Sequence, residues 1–166
     1  NISSNLPERG SSYSIAEDHE VADLLFVGTE FSCFFTRDGG GYWKKLSSGL
    51  PTIAVRDIDI QKRENDLVLG TFGRGFYVMD DYSPLRYLTE EDLKDDARIL
   101  PIKDAVVFVE ASPYGYTTGK GFQGHSFFTA DNPPVGATFT YYVKEGHKTL
   151  KQKRQAKEKK LIKDGQ

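Results

Sequence analysis

An internal repeat constrains this chain more than any other feature of its sequence. Leu25-Phe26-Val27-Gly28-Thr29 aligns with Leu67-Val68-Leu69-Gly70-Thr71 at an offset of 42 residues, and Leu6-Pro7 recurs as Leu50-Pro51. Continued without a gap, the alignment sets Phe34-Phe35 on Phe76-Tyr77, Asp38 on Asp80 and Leu46 on Leu88. A helical repeat of this length needs apolar residues at 3.6-residue spacing, which these segments lack. Short apolar runs at this period describe small stacked sheets instead. Two such units cannot cover all their own apolar faces, so the remaining units are expected from the same protein or from another chain.

Each copy divides into four strands. Tyr13–Glu17 and Val55–Ile60 read as inner strands, Leu24–Thr29 and Leu67–Thr71 as nearly continuous apolar second strands, as expected between packed layers. Phe34–Thr36 and Phe76–Met79 read as third strands, Trp43–Leu46 and Leu85–Leu88 as outer ones. The aromatic fraction of 13%, with 16 Gly and 7 Pro, suits short strands broken by turns. The fold class is therefore mainly all-β, with residues 1–88 as two consecutive four-stranded blades of a β-propeller. Residues 89–104 read as a linker with a short helix, opened by Thr89 as cap and by acids in the first turn. Residues 105–166 read as the start of a second β-domain, with strands at Ala105–Glu110 and Thr138–Lys144 around a Gly- and aromatic-rich loop, Ser112–His125. A basic helix closes it over 149–163, capped by Thr149 with Gln152; its apolar stripe is thin, so it is read as solvated.

Thr36-Arg37-Asp38-Gly39-Gly40-Gly41-Tyr42-Trp43 has the spacing Ser/Thr-x-Asp-x-Gly-x-x-Trp. Thr36 and Asp38 can accept bonds from turn amides, Gly40 supplies positive φ, and Trp43 leads the outer strand and is expected to pack between neighbouring blades. These residues resemble the BNR or Asp-box propellers, which include sialidases, xyloglucan-degrading glycosidases and sortilin-type receptors. The likeness is nearest to large bacterial proteins labelled "glycosyl hydrolase" or sortilin-like. It runs through Leu24–Phe31, Thr71–Phe76 and Asp80–Arg86 to Asn132–Ala137 and Tyr141-Tyr142. It implies that the chain is the C-terminal part of such a protein, that the second domain is immunoglobulin-like, and that the setting is extracellular or periplasmic. Ser32-Cys33 departs from the pattern, where a glycine is usual after Phe31. In the second copy Tyr82 stands for the glycine and Leu85 for the tryptophan, so that box is lost.

Thr36, Asp38, Gly40 and Trp43 are thus structural, and no catalytic residue is carried over. Arg74 is a candidate to face a ligand because Gly73 and Gly75 free its backbone and Phe72 and Phe76 flank it; the alternative is an ion pair with Asp80 or Asp81. Arg56, Asp57, Asp59 and Glu30 are the other ligand-facing candidates. The resemblance implies a non-catalytic binding or scaffold propeller for protein or peptide ligands. The rival is a glycoside hydrolase acting on carbohydrate, with its carboxylate pair in blades outside this chain. Gly119-Lys120-Gly121-Phe122-Gln123-Gly124 matches GxGxxG, but His125-Ser126-Phe127-Phe128 does not open a helix, so no dinucleotide is expected. His19, His125 and His147 are scattered and Cys33 is the single cysteine, so neither a metal nor any other cofactor is expected. Residues 144–166 carry nine Lys or Arg against three acids, about +6, which leaves the body at about −8. That acidic body argues against a nucleic-acid partner, and no apolar run is long enough to span a membrane.

Overall fold

The structure, a computed structural model, describes residues 2–89, 91–105, 107, 135–146 and 148–163. β1 (Ser12–Glu17), β2 (Leu25–Thr29), β3 (Cys33–Thr36) and β4 (Lys44–Lys45) form a four-stranded antiparallel sheet in chain order. β5 (Val55–Gln61), β6 (Asp66–Thr71) and β7 (Phe76–Met79) form a second, three-stranded one. The protein is mainly β, and the two copies of the repeat are two separate sheets.

The copies agree down to an irregularity. β1 meets β2 with a bulge between Ser12 and Ser14, and β5 meets β6 with a bulge between Val55 and Asp57. Tyr13 and Arg56 are therefore the extra residues at matching places, and a bulge re-aims its side chain out of the alternating pattern. One step of the ungapped alignment is corrected here. Leu25 faces Thr36 across β2–β3, while Leu67 faces Met79 across β6–β7. The second turn is one residue longer: the Thr29 amide donates to Ser32 O, the Thr71 amide to Gly75 O. Phe34 thus matches Tyr77 and Phe35 matches Val78.

The sheets pack on each other through one face of each. Ser14 lies opposite Gly28, Ala16 opposite Phe26, Phe26 opposite Phe35 and Gly28 opposite Cys33, so these residues share one face of the first sheet. Ile58, Leu69 and Tyr77 share a face of the second with Ile60 and Leu67. Leu24, Phe26, Cys33, Val55, Ile58, Leu67, Leu69 and Tyr82 form one buried core between them. Gly28 is where the sheets come closest. A Cβ there would stand 2.6 Å from the Val55 carbonyl oxygen, so only glycine admits this approach.

The expected outer strand Leu85–Leu88 is not a strand, so the second sheet has three strands rather than four. Residues Pro84–Tyr87 form a short helix, α1, with proline in its first turn. Asp81, at φ 45°, turns the chain inward and accepts bonds from the Ser83 amide and hydroxyl. Tyr82 then drops into the core, its amide bonded to Asn65 O.

Beyond α1, Thr89 and Asp92 cap each other reciprocally: the Thr89 amide donates to Asp92 Oδ2 at 2.8 Å and the Asp92 amide to Thr89 Oγ1 at 3.1 Å. They open a 3₁₀ turn over Asp92–Lys94. β8 (Ala97–Ile99) lies in the segment read as linker and pairs antiparallel with β9 (Tyr141–Val143), inside the expected strand Thr138–Lys144. α2 (Leu150–Lys163) is the basic helix, capped as expected by Thr149 and Gln152. Most of the expected strand Ala105–Glu110, the loop Ser112–His125 and the GxGxxG match lie outside the described residues. Among the described residues no helix is long and apolar enough to cross a membrane.

Candidate functional site

The two bulges and the two sheet turns lie at the same end of the sheets. Each turn is tied to the segment before its inner strand: the Glu30 amide donates to Ser11 O at 3.0 Å, the Phe72 amide to Ala54 O at 2.9 Å. Each is closed by a threonine hydroxyl, Thr29 donating to Ser32 O and Thr71 to Gly75 O. At this rim the Arg56 guanidinium lies 4.0 Å from the Tyr13 ring centre and 5.3 Å from that of Phe72. The bulges explain the pairing, because both partners, Tyr13 and Arg56, are the residues turned out of the pleat. An Arg held between aromatic faces keeps its N–H edge free for a carboxylate or phosphate.

Arg74 sits in the longer turn between Gly73 (φ 85°) and Gly75 (φ 69°) and is exposed. The expected alternative, an ion pair with Asp80 or Asp81, does not form; Asp81 is occupied with Ser83. Phe72 (68% exposed), Phe76 (79%) and Phe31 (37%) stand around these turns. Arginine and bare aromatic rings are what a recognition surface needs. Glu30 is exposed on the first turn. Asp57 and Asp59 serve the backbone beside them: Asp57 Oδ1 accepts from the Ile58 amide at 3.0 Å and from Ser14 Oγ at 3.4 Å, Asp59 Oδ1 from the Ile60 amide at 2.8 Å.

The Thr36–Trp43 turn has the hydrogen bonds its sequence calls for. Thr36 Oγ1 donates to Asp38 Oδ1 at 2.5 Å and accepts from the Gly40 amide, and Asp38 Oδ1 accepts from the Tyr42 amide. The Thr36 hydroxyl, then the Tyr42 amide, hold the Asp38 carboxyl below its ordinary range. Its acceptor is committed to the turn, although a cleft of about 220 Å³ opens beside it between Phe35, Tyr42, Lys44 and Leu93. Gly40 has φ 102°, and a Cβ there would meet Ile2 at 2.6 Å. Trp43 is buried; its indole donates to Ile2 O, and Asn5 exchanges two bonds with its backbone.

A buried polar cluster lies away from this rim; Tyr82 and Arg86 belong to the stretch Asp80–Arg86 singled out in the sequence, but their meeting with Asp18 was not legible there. Asp18 accepts from Tyr82 Oη at 2.5 Å and from Arg86 Nη2 and Nε at 2.7 and 2.9 Å. Arg86 also reaches Asn65 and Glu20. Burial pushes the Asp18 carboxyl up, but the bonds from Arg86, Tyr82 and the Val21 and Glu20 amides outweigh it and bring it to about 2. Burial and the anionic Asp18 push the Tyr82 phenol up. The cluster joins the first sheet to the chain leaving the second, which is a structural task. Cys33 is wholly buried and its thiol is pushed up to about 12, so it is no nucleophile. Among the described residues no group of three or more His, Cys, Asp or Glu is placed to hold a metal ion.

Fold and site together define a mainly-β protein of stacked antiparallel sheets with an arginine–aromatic rim. The chain matches no protein-family model, no curated protein and no solved structure.

Proposed function

We propose that this chain is the closing pair of blades of an Asp-box β-propeller, a non-catalytic binding or scaffold module of an exported protein that takes protein or peptide ligands. One observation carries the reading. The first sheet uses Ser14, Ala16, Phe26, Gly28, Cys33 and Phe35 against the second, and the matching residues of the second are Asp57, Asp59, Val68, Gly70, Phe76 and Val78. That second set lies on its open face, where Phe76 and Val78 are exposed. Conversely Ile15, Leu25, Val27 and Phe34, on the outer face of the first sheet, match Ile58, Leu67, Leu69 and Tyr77 in the core; of these four Ile15 alone is exposed, Leu25 and Phe34 are half-buried and Val27 is buried. The sheets are stacked in one sense, head to tail. Such a stack ends on two faces built to receive further units, and a closed ring supplies them.

The resemblance of Thr36–Trp43 and Thr71–Phe76 to Asp-box and sortilin-like proteins supports the same reading and its exported setting. The rim supports the binding role: Arg56, stacked on Tyr13, offers a guanidinium edge to an acidic group, and Phe72 and Phe76 offer area to an apolar neighbour. The test is a fluorescence-anisotropy screen of the protein against peptides pairing Asp or Glu with Phe or Tyr, beside a polysaccharide-hydrolysis assay. Micromolar binding is expected, with Arg56→Ala weakening it by tenfold or more and no sugar released. Hydrolysis, or binding indifferent to Arg56→Ala, would overturn the reading.

A further inference from the structure

α2 is well made as a helix and takes no part in the core. Thr149 and Gln152 cap its start and Lys160 and Lys163 suit its end, yet none of its residues is buried. It holds seven Lys or Arg and one acid, Glu158. Arg154 pairs with Glu158 at 3.3 Å, and no other ion pair involves the helix among the described residues. Like charges recur at Lys153 and Lys157 and at Lys159 and Lys163, four apart, where they repel. A helix this short, repelling itself and exposed along its length, is marginal in water.

Its charges are not evenly spread. At about 100° per residue, Lys153, Lys157, Lys160 and Arg154 fall in one sector of about 120° with Leu150 and Leu161. Glu158, Gln152 and Gln155 lie outside that sector, together with Lys151, Lys159, Lys163 and Ile162, so the sector holds four of the seven cations and both leucines. Leu150 is 84% exposed and Leu161 49%. A polyanion such as nucleic acid rewards the cations but has no use for the leucines between them. A phospholipid surface uses both, since lysine stems lie along apolar tails while their ammonium groups reach the headgroups.

We propose that α2 is an interfacial anchor, seating this Lys–Leu face on an anionic lipid surface. Charge orients the rest: the body, at about −8, is held off the surface that draws the tail of about +6. The propeller reading is not needed for this.

The test is co-sedimentation of the whole chain with vesicles of phosphatidylcholine, alone or with about a third phosphatidylglycerol. Binding at least tenfold tighter to the anionic vesicles is expected, falling steeply with added salt. Lys153→Gln/Lys157→Gln/Lys160→Gln should lose tenfold or more. Leu150→Gln/Leu161→Gln should lose severalfold on vesicles while leaving binding to heparin and duplex DNA unchanged. Because α2 buries nothing, both variants should unfold at the same urea midpoint as the parent, which separates lost binding from lost fold. No preference for anionic vesicles overturns the proposal. So does a triple variant that binds as well as the parent, or heparin or DNA binding without vesicle binding.

Discussion

Asp18 shows what a single buried charge does for this protein. It takes two bonds from Arg86 and one from Tyr82, and the Arg86 side chain is only 3% exposed. A carboxyl held down to about 2 contributes fully above its ordinary value of 3.8 and loses that contribution as pH falls through about 2. The linked stabilisation is roughly 2 kcal/mol. Urea unfolding followed by tryptophan fluorescence should therefore show stability falling between about pH 4 and pH 2. Asp18→Asn should flatten that slope and cost on the order of 3 kcal/mol at neutral pH, because Arg86 stays buried without its main counter-ion. Tyr82→Phe should cost less, about 1–2 kcal/mol, the loss of one bond to a charged acceptor. An Asp18→Asn protein as stable as the parent would mean that the cluster is not a lock. The sequence hid this site because its members lie far apart in the chain, and an acid in a loop carries no sign of burial.

At the scale of the element, the two glycines of the repeat separate close packing from mere repetition. Gly28 and Gly70 hold matching positions in β2 and β6, but a Cβ on Gly28 would meet the Val55 backbone at 2.6 Å, whereas one on Gly70 would lie 3.4 Å from the Asp57 side chain. Gly28→Ala should cost about 1–3 kcal/mol through overpacking. Gly70→Ala should stay within about 0.5 kcal/mol, because nothing is displaced. Thermal or urea unfolding of the two variants checks the contrast, and equal effects would contradict the described packing. β1 to β7 and β9 all fall on expected strands, and β1–β3 and β5–β7 were legible because an apolar pattern occurring twice is hard to mistake. The register of β7 was not, since one extra residue in a turn leaves that pattern intact. Leu85–Leu88 misled because leucines recur at the right distance while Asp81 and Pro84, which redirect the chain, act through backbone angles. β8 is only three residues long and mostly exposed, with no alternation to read. Arg56 was named as a candidate, but its place between Tyr13 and Phe72 depends on two bulges that no propensity announces.

The whole molecule is decided by what covers the two outer faces. Phe76 and Val78 stand open on one and Ile15 on the other, and each matches a residue that the pair of sheets buries between them. In a head-to-tail ring, the open face of the second sheet receives a neighbour just as the first sheet receives β5. Gly70 then becomes what Gly28 is now, the point of closest approach. Gly70→Ala, harmless in the 166-residue chain, should cost about 1–3 kcal/mol in a version extended by the neighbouring repeat units, the same overpacking cost as Gly28→Ala. Urea unfolding of Gly70→Ala in both lengths reads this directly. If Gly70→Ala is as mild in the longer protein as in the shorter one, no sheet seats on that face, and the two-sheet stack ends where it is seen to end.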